Sequence, residues 1–459
     1  MKKERTILIS SAVVYILLYI FFYPKTYAIF DESCYIDLAY SLRQGTVYFD
    51  ETNIYLHFPI KSGEHLVSKY PPGNSLLLMP LTFLGKRGIF LYGLIFHILG
   101  YLIFIKIIRE HKMNTKYAIF YLFFPSYVLF SRTVMSDIPA TVFFLMGFYC
   151  YKKENYLFTG MSFGLSFLIR YVNIILLPIF FCIMLFRKKR KGFNILLGFT
   201  PFLIIMLFYN KISYNSFLPL GYFVEGSSFS IRGIPINLAV YLLPLFLIYP
   251  LMIIFPVIYR GKSWLEILIS CALFLFFYSI YSPGHILYTS PPLKALPKVL
   301  LLANRYFFPV IPLIFISYFS VCKRCIKYPY FQIILVFLIL LTGSIHFYHN
   351  RYLKFQVEFR EALYSHTDEN SLIICNGEVT ELVSEVWGRR NLVVFDKEDF
   401  SLSSYNYNKN IWLASLIKFD THGATQIIAL RDSLIARFDA ELVEKIDGTD
   451  KGFKLYKVK

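Results

Sequence analysis

The chain lacks the glycine loops that cradle nucleotide phosphates and the helical zinc motif of metalloproteases. No G-x-x-x-x-G-K-[ST], G-x-G-x-x-G or H-E-x-x-H run occurs in it, so no motif points to nucleotide or catalytic zinc chemistry. Its seven cysteines are scattered, three of them (Cys150, Cys182 and Cys271) within or at the edge of apolar segments, which gives no disulfide framework. Cys322 and Cys325 form a lone C-x-x-C in a basic stretch, without the second ligand pair that a zinc site needs. Charge is scarce as well: Asp, Glu, Lys and Arg make up 17% of the chain, against roughly a quarter in soluble domains.

Apolar sequence takes the place of charge. Of 459 residues, 56% are hydrophobic and 19% aromatic, and the mean hydropathy is +0.53, as expected of a polytopic α-helical membrane protein. The net charge of +18 would suggest a nucleic-acid partner in a soluble protein, but here it follows the membrane. The first span, Thr6 to Tyr23, is preceded by Lys2, Lys3 and Arg5, which predicts a cytoplasmic N-terminus. Further spans are expected near 88–108, 117–131, 138–151, 156–170, 172–186, 193–210, 237–258, 264–281, 305–320 and 329–347. Every second connection is basic: Lys106 to Lys116, Lys152-Lys153, Arg187 to Lys191, Arg260 with Lys262, and Lys323 to Lys327.

This alternation predicts about eleven transmembrane helices in the cell membrane, a first outer loop over 25–87 and an extracytoplasmic C-terminus. Four central segments fall short of the roughly 20 residues that a perpendicular helix needs. A re-entrant hairpin over 117–151 is the alternative, and it would take Asp137 off the outer surface. Gly160-x-x-x-Gly164 predicts close helix packing.

From about Tyr352 short apolar runs alternate with charged helical stretches, which predicts a small extracytoplasmic α/β domain over 351–459 after a membrane domain over 1–350. Its acids, Glu378, Glu381, Asp396 and Asp399 among them, read as a solvated face. The domain could cover an active site or contact an acceptor.

Polar groups near the outer face need a reason, and they fall in four places. Asp31-Glu32 stands just beyond the first span, at the start of an expected amphipathic helix over 32–44. That helix has Tyr35, Leu38, Ala39 and Leu42 on one face and Gly45 as its stop. Asp31 can be its N-cap, a catalytic acid, or both. Lys69-Tyr70-Pro71-Pro72-Gly73 holds a lysine in a defined, extended position at the interface, suited to a lipid phosphate or to snorkelling. In Ser131-Arg132-Thr133-Val134-Met135-Ser136-Asp137-Ile138-Pro139, Asp137 starts the next helix. Arg170 and Arg305 (followed by Tyr306) lie at outer ends of spans, where arginine offers phosphate a bidentate fork. His57 and His285 read as solvated, and the proline-rich loop 282–304 as either a flap or a passive interfacial segment.

In this order the features resemble the GT-C superfamily of membrane glycosyltransferases, in particular the branch of protein O-mannosyltransferases and lipid A aminoarabinose transferases. There, an acidic pair opens the first outer loop, as Asp31-Glu32 does here, and a Lys-Pro-Pro element ends it. Lys69-Tyr70-Pro71-Pro72 is one residue longer. Asp137 matches a second aspartate between the third and fourth spans, and Arg170 and Arg305 match later arginine motifs. The resemblance covers about residues 1–350, with the C-terminal domain also similar to that of bacterial members. It implies a polyprenyl-phosphate sugar donor used from the outer face with inversion, and no cofactor, although the paired acids leave a divalent metal open.

The residues fit that chemistry independently. An acceptor hydroxyl or phosphate must be activated as it attacks, and Asp31 is the expected base, with Glu32 and Asp137 orienting sugar or acceptor. Lys69, Arg170 and Arg305, with Tyr70 and Tyr306 beside them, are the expected contacts to the lipid phosphate and sugar. The acceptor, whether lipid, glycan or protein, is open; membrane lipids surround the chain and no nucleic acid is expected. The alternative is a transporter or flippase for a polyprenyl-linked sugar or lipid, without a covalent step.

Overall fold

The computed structural model describes residues 2–28, 30–49, 59–63, 65–187, 190–218, 229–248, 254–281, 303–321, 328–368, 371–376, 379, 383, 391–395, 410–418, 424–447 and 451–458. Helix α1 (Lys2–Phe21) turns Tyr15 and Tyr19 into the protein and leaves Ile9, Val13, Leu17 and Phe21 exposed. An apolar stripe facing outward is what a lipid solvent selects. Helix α2 (Phe30–Arg43) follows, with Asp31 and Glu32 in its first turn. It stops before Gly45, whose φ of +80° suits glycine. The expected amphipathic helix is in fact buried on nearly every side from Glu32 to Ala39. It is sandwiched between the bundle and a small antiparallel sheet of β1 (Tyr48–Phe49), β2 (Pro59–Ser62) and β3 (His65–Ser68) in the order β1-β3-β2.

The bundle continues with α3 (Leu91–Glu110), α4 (Asp137–Lys152), α5 (Tyr156–Ile169), α6 (Leu176–Phe186), α7 (Phe193–Tyr214), α8 (Ile234–Ile248), α9 (Trp264–Ser279), α10 (Ile311–Val321) and α11 (Tyr328–His366). Among the described residues, four stretches are long and apolar enough to cross a membrane: Glu4–Phe21, Leu91–Glu110, Arg190–Tyr214 and Phe331–His366. The chain is therefore a multi-pass membrane protein. The segment expected as a span near 117–131 is not one helix. Pro125 holds Phe124 extended (φ −65°, ψ 122°) and splits it into Ile119–Leu122 and Pro125–Phe130, both walled in by protein.

Gly160 packs closely, as its G-x-x-x-G spacing predicts. A Cβ on Gly160 would lie 2.0 Å from the Ile195 carbonyl oxygen, and one on Gly198 would lie 2.2 Å from that of Leu157, so α5 and α7 touch backbone to backbone. Connections expected on one side of the membrane meet at one end of the bundle: Lys153 pairs with Glu110 at 2.5 Å and Arg187 with Glu266 at 2.7 Å. The end of α1, the start of α2 and the 131–137 segment gather at the opposite end.

Composition changes near 352, but α11 runs unbroken for 39 residues to His366. Its last turns carry Phe359 and Leu363 onto a five-stranded sheet. The strands are β4 (Leu372–Cys375), β5 (Asn391–Val394), β6 (Ile411–Lys418), β7 (Ala440–Asp447) and β8 (Lys451–Val458), in the order β5-β4-β6-β8-β7. β4 is parallel to both of its neighbours and the β6, β8 and β7 pairings are antiparallel. Strand alternation sends Ile373 and Cys375 toward α11, and Ile374 and Leu413 toward helix α12 (Ala424–Phe438). Glu378, Glu381, Asp396, Asp399, His57, His285, Cys322, Cys325 and the loop 282–302 lie outside the described residues.

Candidate functional site

Six of the eight residues expected in a site line one cavity: Asp31, Tyr70, Asp137, Arg170, Arg305 and Tyr306. The space, including its open mouth, is about 650 Å³. Local devices deliver the charged groups. Asp31 sits in the first turn of α2 and Asp137 is the first residue of α4, so the positive ends of two helices carry the two carboxylates. Arg170 caps α5 in an extended conformation (φ −142°, ψ 115°). The Asn173 amide donates to Ser166 Oγ at 2.8 Å, and Ser166 donates to the Ala140 carbonyl at 2.8 Å, which locks the arginine's turn against the helix that bears Asp137. Arg305 comes from the 3₁₀ turn Ala303–Phe307.

The charges pair across the cavity. Arg170 donates directly to Asp137, and Arg305 Nη1 stands 4.0 Å from Asp31 Oδ2. Two carboxylates and two guanidiniums give this wall no net formal charge. The side chain of Asp137 is 1% exposed and that of Asp31 is 19% exposed, so Asp31 is the acid that a ligand can reach. Tyr306 lies between the arginines: its hydroxyl accepts from Arg305 at 2.9 Å, and the guanidinium carbons of Arg305 and Arg170 are 4.8 and 5.9 Å from its ring centre.

The other two expected residues do not line the cavity. Glu32 is buried, and its two oxygens accept from Ala28 N at 2.8 Å and Val134 N at 2.9 Å. It thereby ties the start of α2 to the segment that leads into Asp137. Asn74 completes this tie by donating to the Val134 carbonyl at 2.8 Å, while Tyr92 donates to Asn74 Oδ1 at 2.7 Å. Lys69 places its ammonium 5.0 Å from the Tyr70 ring centre. The Lys69-Tyr70 stretch is held from α7, where Tyr214 donates to the Ser68 carbonyl at 2.6 Å and Tyr209 to that of Tyr70 at 3.3 Å.

Several lining residues escaped the sequence reading. Tyr35 donates to Ser136 Oγ at 3.1 Å, just before Asp137, and Tyr278 and Tyr281 pack on Tyr306 with ring centres 5.0 and 5.5 Å away. Their signal, tyrosines three apart at the end of an apolar run, is the same as that of an ordinary interfacial aromatic belt. Among the described residues no group of three or more His, Cys, Asp or Glu side chains comes together as a metal site would. Asp31 and Asp137 each face an arginine instead.

Neither a family model nor a curated protein matches the sequence. The structure does find likenesses. ArnT from Cupriavidus metallidurans, in its apo-state crystal structure, superposes with a TM-score of 0.61 over 97% of both chains at 11% identity. The chain shares the fold of ArnT. A second likeness, to the arabinofuranosyltransferase AftD from Mycobacteria, has a TM-score of 0.51 at 10% identity, over 99% of this chain and 41% of AftD. The likeness to ArnT spans nearly the whole of both chains.

Proposed function

We propose that this protein is a glycosyltransferase that moves a sugar from a polyprenyl-phosphate donor to an acceptor hydroxyl or phosphate at the outer face of the membrane, with inversion. The observation that carries the reading is one cavity in which an accessible acid, Asp31, faces Arg305 and shares the walls with Arg170. With a hydroxyl acceptor, its oxygen attacks the anomeric carbon, its proton passes to the Asp31 carboxylate, and the bond from that carbon to the phosphate oxygen breaks on the opposite side. A base so placed contributes a factor of about 10²–10⁴. Charge grows on the departing polyprenyl phosphate, and Arg305 and Arg170 stabilise it more strongly in a site shielded from water. Lys69 comes after them, being outside the lining. Asp137 holds Arg170 in place and offers an acceptor for a sugar hydroxyl, and Glu32 positions the two acid-bearing segments. The basic end of the bundle faces the cytoplasm, which puts the cavity, and the C-terminal sheet that follows α11, outside.

The test is incubation of the purified protein with labelled polyprenyl-phosphate sugars and candidate acceptors, comparing wild type with Asp31→Asn. Transfer by wild type and its loss in the variant are expected. Undiminished transfer by the variant would remove Asp31 as the base, and donor flipping without transfer would replace the enzyme with a transporter.

A further inference from the structure

Three cations sit where the charge pattern gives them no reason to be. Lys25, Arg351 and Lys354 lie at the cavity end of the bundle, which the proposed orientation places outside, so cytoplasmic retention does not account for them. They border a groove of about 1090 Å³, open to the surroundings, between the end of α1 and the middle of α11. Phe22, Phe347 and Leu353 form its apolar part and Asn350 adds an amide. This groove shares no residue with the cavity of the candidate site.

Its two halves differ in what they can hold. Along α1 and α11 the groove leads into residues that face outward, Phe21 at 79%, Leu340 at 66% and Phe337 at 61% exposure, a path suited to an acyl chain. At its head, Lys354 shares its charge with Glu358 at 3.5 Å, but neither Lys25 nor Arg351 has an ion-pair partner among the described residues. An ammonium, a guanidinium fork and an amide above an apolar stripe match a phosphate above a hydrocarbon tail.

We propose that this groove binds the head group of an anionic membrane phospholipid, with Lys25 and Arg351 on the phosphate and the acyl chain against Phe22 and Phe347. The lipid would also brace the site from behind. The Phe22 carbonyl accepts from Arg132 at 2.7 Å, and the same guanidinium donates to His349 at 2.9 Å and to His346 on α11. A lipid there touches both helices that Arg132 joins to the segment leading into Asp137.

The experiment releases the full-length protein from nanodiscs of phosphatidylcholine with a minor share of phosphatidylglycerol and counts retained lipid by native mass spectrometry. Phosphatidylglycerol should be retained selectively by wild type and by the charge-conserving K25R/R351K. Retention should fall roughly 25-fold in K25Q/R351Q, each surface cation contributing about fivefold. The R260Q/K262Q control at the opposite end should behave as wild type, and excess inorganic phosphate should not displace the lipid. Equal retention by K25Q/R351Q, equal loss in the control, or displacement by inorganic phosphate would each overturn the proposal. The argument from charge placement rests on the proposed orientation, but the readout involves no sugar transfer, so failure of either reading leaves the other's result intact.

Discussion

Arg170 closes on the Asp137 carboxylate and seals it at 1% exposure. Arg305 stays 4.0 Å from Asp31, which keeps 19%. The two acids of one cavity are therefore not equivalent. One is committed to holding a cation in place and the other is open to a ligand.

Replacement of each acid should separate these roles. Asp31→Asn is expected to lower kcat for sugar transfer by about 10²–10⁴ while leaving the donor KM nearly unchanged, because it removes a proton acceptor and leaves the arginines in place. Asp137→Asn, which releases Arg170, should raise the donor KM as well. Steady-state kinetics with a labelled polyprenyl-phosphate sugar distinguishes the two.

Glu32→Gln should act on folding. Gln keeps one acceptor oxygen, so either Ala28 N or Val134 N loses its charge-assisted bond in a buried setting, at a cost of about 1–3 kcal/mol. Denaturant unfolding in detergent is the measurement, and the folded fraction should retain kcat within a few-fold.

The difference between these neighbours shows what the sequence could and could not display. Asp31 and Glu32 read as one acidic pair, yet consecutive residues on a helix point about 100° apart. Here Asp31 faces the cavity and Glu32 turns to Ala28 N and Val134 N. Features set by local rules were readable: the stop at Gly45, the close helix contact at Gly160, and the helix-start placement of Asp137. The split at Pro125 was equally local, but the apolar run around it masked it as a span. The fold shared with ArnT was legible from the order of acidic and basic motifs between spans. Tyr278 and Tyr281 were not legible as cavity walls, since an aromatic residue in a membrane segment carries no mark of which side it packs on.

The sequence gives no sign of the role of Arg132, because its partners His346 and His349 lie 214 and 217 positions away. It is 1% exposed. Arg132→Ala would leave two imidazole nitrogens and the Phe22 carbonyl without their donor, each costing about 1–3 kcal/mol. A marked drop in unfolding temperature is expected. Arg132→Lys, which supplies an ammonium without the planar fork, should fall between the variant and wild type.

Gly73→Ala tests how tightly the Lys-Tyr-Pro-Pro-Gly turn must seat. A Cβ there would come within 2.5 Å of the Leu168 carbonyl carbon and oxygen and 2.7 Å of Ile169 N, all of them backbone atoms. Because α5 ends at Ile169 and Arg170 caps it, the displacement falls on that arginine. The expected result is at least a tenfold loss in kcat/KM with the protein still folded, and unchanged kinetics would show that the turn has slack.

A single helix links the bundle to the C-terminal sheet. At 1.5 Å per residue, the 39 residues of α11 extend about 58 Å, nearly twice the roughly 30 Å of a bilayer's hydrocarbon. The excess is a rigid mast, and the sheet packed on Phe359 and Leu363 is mounted on it at a fixed height. A force on that sheet would apply torque to the same rod that presents His346 and His349 to Arg132.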